Sequence, residues 1–165
     1  MMRSEVLRKA LLSSPQLIEI TGGEPLLQPA VFPLMQELCD AGRTVLVETS
    51  GEADISQVDL RVHKIVDLKG PSSGESHRNR WSNLEAIRAT DEIKFVLADR
   101  TDYDWMCAVL SEKKLVSRTP TILVSPVFGR LPPQELVRWV LEDAIPVRVQ
   151  VQLHKYIWGG EVTGV

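Results

Sequence analysis

The sequence predicts an α/β fold built on a mainly parallel sheet, and three observations carry that prediction. Short β-branched apolar runs alternate with segments of helical periodicity along the chain. The candidate strands are separated by stretches long enough to be crossovers rather than hairpins. No internal repeat, low-complexity tract or linker interrupts the pattern, so residues 1–165 are expected to form a single domain. About six crossover-linked strands suit either a doubly wound sheet or a partial barrel, and in both a ligand sits at the carboxyl ends of the strands.

Residues 1–8 read as polar and helical. The segment 17–21 (Leu-Ile-Glu-Ile-Thr) is a short strand, and Phe32, Met35, Leu38 and Cys39 then fall at helical spacing, with Gly42 as the stop. The β-branched segment 44–49 and the segment 64–69 are strands, the second leading into Gly70-Pro71-Ser72-Ser73-Gly74. Segment 92–97 alternates as a strand does, and Asp102 is expected to cap a helix carrying Met106, Val109 and Leu110. Segment 121–125 is a further strand. Pro132-Pro133 opens a helix with Leu136, Val137, Val140 and Leu141 on one face, and 148–153 is expected to be the last strand.

Composition bounds the function. The 19 Lys and Arg against 22 Asp and Glu give a net charge of −3, which argues against nucleic acid as a partner. No apolar run approaches the roughly 20 residues that span a bilayer, and the N-terminus lacks an apolar signal core, so no membrane partner and a cytoplasmic location are expected. Two cysteines, Cys39 and Cys107, exclude a disulfide framework and a metal centre held by three or four cysteines of this chain. Both sit at apolar helical positions and read as small core hydrophobes. No metal ligand and no catalytic residue is assigned, and Ser-His-Asp spacing, a P-loop and a Rossmann fingerprint are all missing.

The informative polar residues follow the strands. Thr21-Gly22-Gly23-Glu24-Pro25 offers two glycines that let backbone approach a ligand, then a carboxylate for a cationic group; the plainer reading is a βα turn with a solvated Glu. Glu48-Thr49-Ser50-Gly51 ends the next strand with a carboxylate and two hydroxyls, which suit a polar ligand or a turn. Asp67 and Lys69 share a strand face and either grip one ligand or form a strand-end ion pair. If the last strand runs on, His154 shares a face with Gln152 and Tyr156. The basic run His77-Arg78-Asn79-Arg80 reads as a solvated loop.

Taken together, four strings in this order resemble the radical S-adenosylmethionine (SAM) family of 7-carboxy-7-deazaguanine synthases. They are Thr-Gly-Gly-Glu-Pro-Leu-Leu-Gln at 21–28, Val-Glu-Thr-Ser-Gly at 47–51, Asp-Leu-Lys-Gly-Pro-Ser-Ser-Gly at 67–74 and Gln-Leu-His-Lys-Tyr-Ile-Trp at 152–158. Gly-Gly-Glu-Pro alone indicates the superfamily, and the other three strings narrow it. The resemblance implies a partial (β/α) barrel with its site at the open carboxyl end. It implies a [4Fe–4S] cluster, SAM and Mg²⁺ as cofactors, a pterin substrate, a homodimer, and a reductant such as flavodoxin or ferredoxin. The implied reaction turns 6-carboxy-5,6,7,8-tetrahydropterin into 7-carboxy-7-deazaguanine with loss of ammonia, a lyase step towards queuosine.

Residue roles follow where the motifs match. Gly22, Gly23 and Glu24 would hold the methionine amino end of SAM, and Asp67, Leu68 and Lys69 would line SAM, with Asp67 a departure from the Ser-Pro-Lys that many members carry. Thr21, Glu48 and His154 would face the substrate. A second departure is larger. The family holds its cluster with three cysteines ahead of Gly-Gly-Glu-Pro, and no Cys precedes that string here. The expectation is a barrel missing its first βα unit, through a late start, truncation or degeneration, and a chain that is inactive alone. Two other readings stay open: another radical SAM enzyme, such as a glycyl-radical activating enzyme, and a non-catalytic binding module.

Overall fold

A computed structural model describes residues 3–119 and 121–160. Six strands form one sheet: β1 (Leu17–Ile20), β2 (Thr44–Thr49), β3 (His63–Leu68), β4 (Glu92–Leu97), β5 (Ile122–Pro126) and β6 (Arg148–Val149). Every neighbouring pair is parallel and the order is sequential, β1 to β6. A doubly wound sheet reverses its strand order at a switch point, whereas a barrel adds each strand beside the last. The sequential order therefore resolves the choice in favour of a partial barrel.

The helices are α1 (Arg3–Leu12), α2 (Val31–Asp40), α3 (Arg100–Glu112), α4 (Pro133–Glu142) and α5 (Leu153–Trp158). Pro133 occupies the first turn of α4, where its missing N–H costs nothing. Between β2 and β4 the crossovers carry no α-helix; loops and short 3₁₀ turns seat Ile55, Val58, Val62 and Leu84 in the core instead. Among the described residues, no helix is long and apolar enough to cross a membrane.

Alternation along the strands sorts side chains onto two faces. Val45, Val47, Val66, Leu68, Ile93, Phe95, Leu97, Ile122 and Val124 join Met35, Leu38, Met106, Leu110, Leu136 and Val140 from α2, α3 and α4 in one apolar core. The opposite face carries Glu48, Asp67 and Lys94, with Asp67 in register beside Lys94. Polar residues on that face are available to a ligand, while the other face holds the sheet to its helices.

Two expectations are corrected. Asp99, not Asp102, caps α3: its carboxylate accepts from the Asp102 N–H at 3.1 Å, and the helix starts at Arg100. The last strand is two residues long, because beyond Val149 the chain leaves β5 and Leu153–Trp158 turns helical. His154 therefore does not share a strand face with Gln152 and Tyr156.

Candidate functional site

The Gly-Gly turn follows β1. Gly22 and Gly23 have φ of +93° and +57°, and a Cβ on either would meet nothing within 4 Å, so this backbone is open to a ligand. Glu24 fixes the turn to the end of β2. Its Oε1 accepts from the Leu26 N–H at 3.0 Å and from the Thr49 hydroxyl at 2.8 Å, and its Oε2 accepts from the Ser50 N–H at 2.7 Å. The carboxylate thus ties two strand ends together, and lines a cavity of about 370 Å³ with Gly23, Ser50, Glu52, Lys69 and Arg78. Arg78 enters that cavity between Glu52 and Glu75, each 3.1 Å away.

A second cavity, of about 300 Å³, opens beside it at the ends of β3, β4 and β5, lined by Asp67, Leu68, Lys69, Val96, Ala98, Val127 and Gln152 among others. Lys69 lines both cavities. Its Nζ lies 2.6 Å from Asp67 Oδ2, and burial pushes the Asp67 carboxyl up against the opposing pull of Lys69. The other Asp67 oxygen, Oδ1, is buried without a hydrogen-bond partner. On the same face Lys94 donates to Glu48 Oε1 at 2.7 Å.

Two residues to which the sequence reading gave other roles, Asn79 a solvated loop and Asp102 a helix cap, hold this rim in place. Asn79, within the basic run, accepts from the Lys69 N–H and donates to the Lys69 carbonyl, both at 2.9 Å. Asp102 accepts from the Ser72 and Ala98 N–H groups at 2.8 and 2.9 Å, and a Cβ on Gly70 would come within 2.8 Å of its carboxylate. An Asn after a Pro-Ser-Ser loop is a weak signal, and the local pattern marks Asp102 only as a helix cap, not as the partner of Ser72.

Of the expected site residues, Gly23, Glu24 and Lys69 meet in the first cavity, and Asp67, Leu68 and Lys69 in the second. Thr21, Gly22, Glu48 and His154 line neither. Thr21 and Gly22 are exposed beside the turn, Glu48 faces Lys94, and His154 is exposed on α5. Cys39 and Cys107 are half-buried on α2 and α3, and burial pushes both thiols up. An iron–sulfur cluster takes three or four thiolates from one pocket, so two protonated thiols on separate helices do not fit one. Among the described residues, no three His, Cys, Asp or Glu side chains gather to hold a metal ion.

No family model matches the chain. Against solved structures, it resembles SuiB from Streptococcus suis with a TM-score of 0.58 at 11% identity, over 90% of this chain and 42% of that one. SuiB bound to S-adenosylmethionine matches at 0.58 and 12% identity, over 96% and 45%. These likenesses concern the fold. Sequence relatives carry more. The 7-carboxy-7-deazaguanine synthase of Chlorobaculum tepidum is 41% identical over 164 residues, covering 98% of this chain and 74% of the relative. That of Koribacter versatilis is 43% identical over 162 residues, covering 90% and 72%. That of Methanospirillum hungatei is 39% identical over 159 residues, covering 93% and 64%. Identity at this level over most of both chains means that the chain belongs to the 7-carboxy-7-deazaguanine synthase family.

Proposed function

We propose that this chain supplies the SAM-binding and substrate-binding surfaces of a radical SAM 7-carboxy-7-deazaguanine synthase. The observation that carries the reading is the open Gly22-Gly23 backbone leading into Glu24, which is clamped to Thr49 and Ser50 beside a cavity. An α-amino acid end needs this combination: close backbone, a fixed carboxylate for the ammonium, and a cation for the carboxylate. Glu24 takes the first charge and Lys69 is available for the second. When bound and reductively cleaved, SAM supplies a radical that starts the ring contraction of the tetrahydropterin, a carbon–nitrogen lyase reaction.

The chain's own residues bind and orient. Thr21, Glu48 and His154 are assigned to the pterin by motif, and Glu48 is the best supported of them because Lys94 holds it on the ligand-facing side of the sheet. No step is assigned to a cluster or to Mg²⁺, since the cysteines do not fit one. The reductant, the homodimer and the cytoplasmic setting belong to this proposal, as does residues 1–165 acting as one domain.

Calorimetric titration of the purified chain with SAM tests the reading. The expected result is saturable binding that Gly23→Val abolishes, while 5′-deoxyadenosine stays undetected after anaerobic incubation with iron, sulfide and dithionite. A folded chain that does not bind SAM overturns the cofactor assignment, and 5′-deoxyadenosine formation overturns the expectation of inactivity.

A further inference from the structure

We propose that Asn79 is a positioning residue for the cofactor: by pairing with both backbone polar groups of Lys69, it holds the Lys69 ammonium where the carboxylate of SAM binds. The inference rests on the SAM-binding reading above and adds to it a residue from outside both cavity linings.

Three observations carry it. First, the β3 ladder runs out at the site. Leu68 is the last residue of β3 and the last in register with β4, opposite Phe95. Lys69 follows with an N–H and a C=O that need new partners. Asn79 supplies both: its Oδ1 accepts from the Lys69 N–H and its Nδ2 donates to the Lys69 carbonyl, each at 2.9 Å. A side-chain amide presents a donor and an acceptor on one edge, as a neighbouring strand would. The pair extends strand order by one residue, and alternation keeps Lys69 on the face of Asp67.

Second, Asn79 is itself fixed. It is 6% exposed, and its N–H donates to the Ser76 carbonyl at 3.3 Å. The next N–H, of Arg80, donates to the Gly51 carbonyl at 3.1 Å. Gly51 follows Ser50, whose N–H holds the Glu24 carboxylate at 2.7 Å. Asn79 therefore ties the backbone of Lys69 to the strand end that fixes Glu24, and so sets the spacing between the two charges of the amino-acid site. Third, Lys69 is the residue shared by the linings of both cavities. Its ammonium rides on a flexible four-carbon stem, which aims it only from a fixed backbone.

Calorimetric titration with SAM of the purified chain, Asn79→Ala, Lys69→Met and the double variant tests the inference. Asn79→Ala is expected to weaken SAM by about tenfold, the cost of re-ordering a residue that has lost two hydrogen bonds. Lys69→Met is expected to weaken SAM by a similar factor. Burial already pushes the Asp67 carboxyl up, so it can turn neutral when its partner is gone. In the Lys69→Met background, Asn79→Ala should change affinity by no more than about threefold, because the ammonium it positions is absent. A larger factor in that background means that Asn79 supports the fold in general, and overturns the inference. An effect below about threefold in either single variant, while the parent binds SAM, also overturns it. If the parent binds no SAM, the functional reading fails and takes the inference with it. Melting curves control for folding. Asn79→Asp keeps the acceptor and loses the donor, and carries the same cycle if Asn79→Ala does not fold. Failure of both to fold makes Asn79 a folding residue and overturns the inference.

Discussion

Lys64 and Asp91 form the most deeply buried ion pair among the described residues. Lys64 sits on the helix-facing side of β3, 2% exposed, with Nζ 2.9 Å from an Asp91 carboxylate that is fully buried. Arg88 adds a second cation at 2.8 Å. Burial alone would raise the Asp91 carboxyl, but hydrogen bonds from Arg88 and Lys64 outweigh it and hold the group below its ordinary value. A depressed carboxyl contributes stability that is fully present above the unfolded value of about 3.9 and lost as pH falls through the lower folded value. Asp91→Ala leaves Lys64 buried and unpaired. Urea denaturation at pH 7 should show a loss of about 3–5 kcal/mol, and the gap to the parent should narrow as pH drops below about 4. A loss under about 1 kcal/mol would mean that the pair acts like an exposed one. Residues of this kind are hard to read from a sequence. The Gly-Gly-Glu and Asp-Leu-Lys strings are legible because their chemistry lies within a few positions. Asn79, Asp102 and Lys94 act on partners 10, 30 and 46 residues away, and only folding makes those pairs.

At the level of elements, legibility followed periodicity. Segments 44–49 and 92–97 are strands over those limits because β-branched and alternating residues match a half-buried pleat. The last strand misled because Val-Gln-Val-Gln alternates in sequence, yet among the described residues beyond Val149 only the Gln150 backbone N–H reaches β5, at the Val124 carbonyl. The following Leu-His-Lys-Tyr-Ile-Trp fits either period and turned helical. The Gly-Gly turn shows the converse, a loop given definite shape by a single side chain. Glu24 caps the 3₁₀ turn Pro25–Leu27 through the Leu26 N–H and holds the end of β2 through the Ser50 N–H. Glu24→Ala should therefore loosen both connections while leaving the sheet intact. Amide hydrogen exchange should accelerate at Leu26 and Ser50 and stay unchanged at Val47 and Phe95. Equal acceleration at all four would show that the carboxylate supports the whole fold rather than the turn.

For the whole molecule, strand order was the property that periodicity left open and that the family resemblance supplied. Each crossover between consecutive strands is compatible with either architecture, since a doubly wound sheet and a barrel use the same right-handed βαβ unit. Order is decided by which edge each new strand joins, a non-local choice. The sequential order leaves β1 at one edge of the sheet, with only β2 beside it. That edge carries one exposed charge, Glu19, beside exposed apolar surface. Leu17 is 56% exposed and Leu12, at the end of α1, is 74% exposed. No residue of α1 is buried, so the helix gives this edge little cover. An unpaired strand with apolar side chains is a template for pairing with another chain, and a charge on it is the usual way such pairing is blocked. Light scattering coupled to gel filtration should show the apparent mass of the chain rising with loading concentration. Leu17→Lys should suppress that rise without lowering the melting temperature, because the side chain is already mostly in water. If the mass is independent of concentration in the parent, the β1 edge is protected by something other than pairing. If Leu17→Lys leaves the rise unchanged, association runs through another surface, and the exposed apolar row of α5, with Leu153, Ile157 and Trp158, is the next to test.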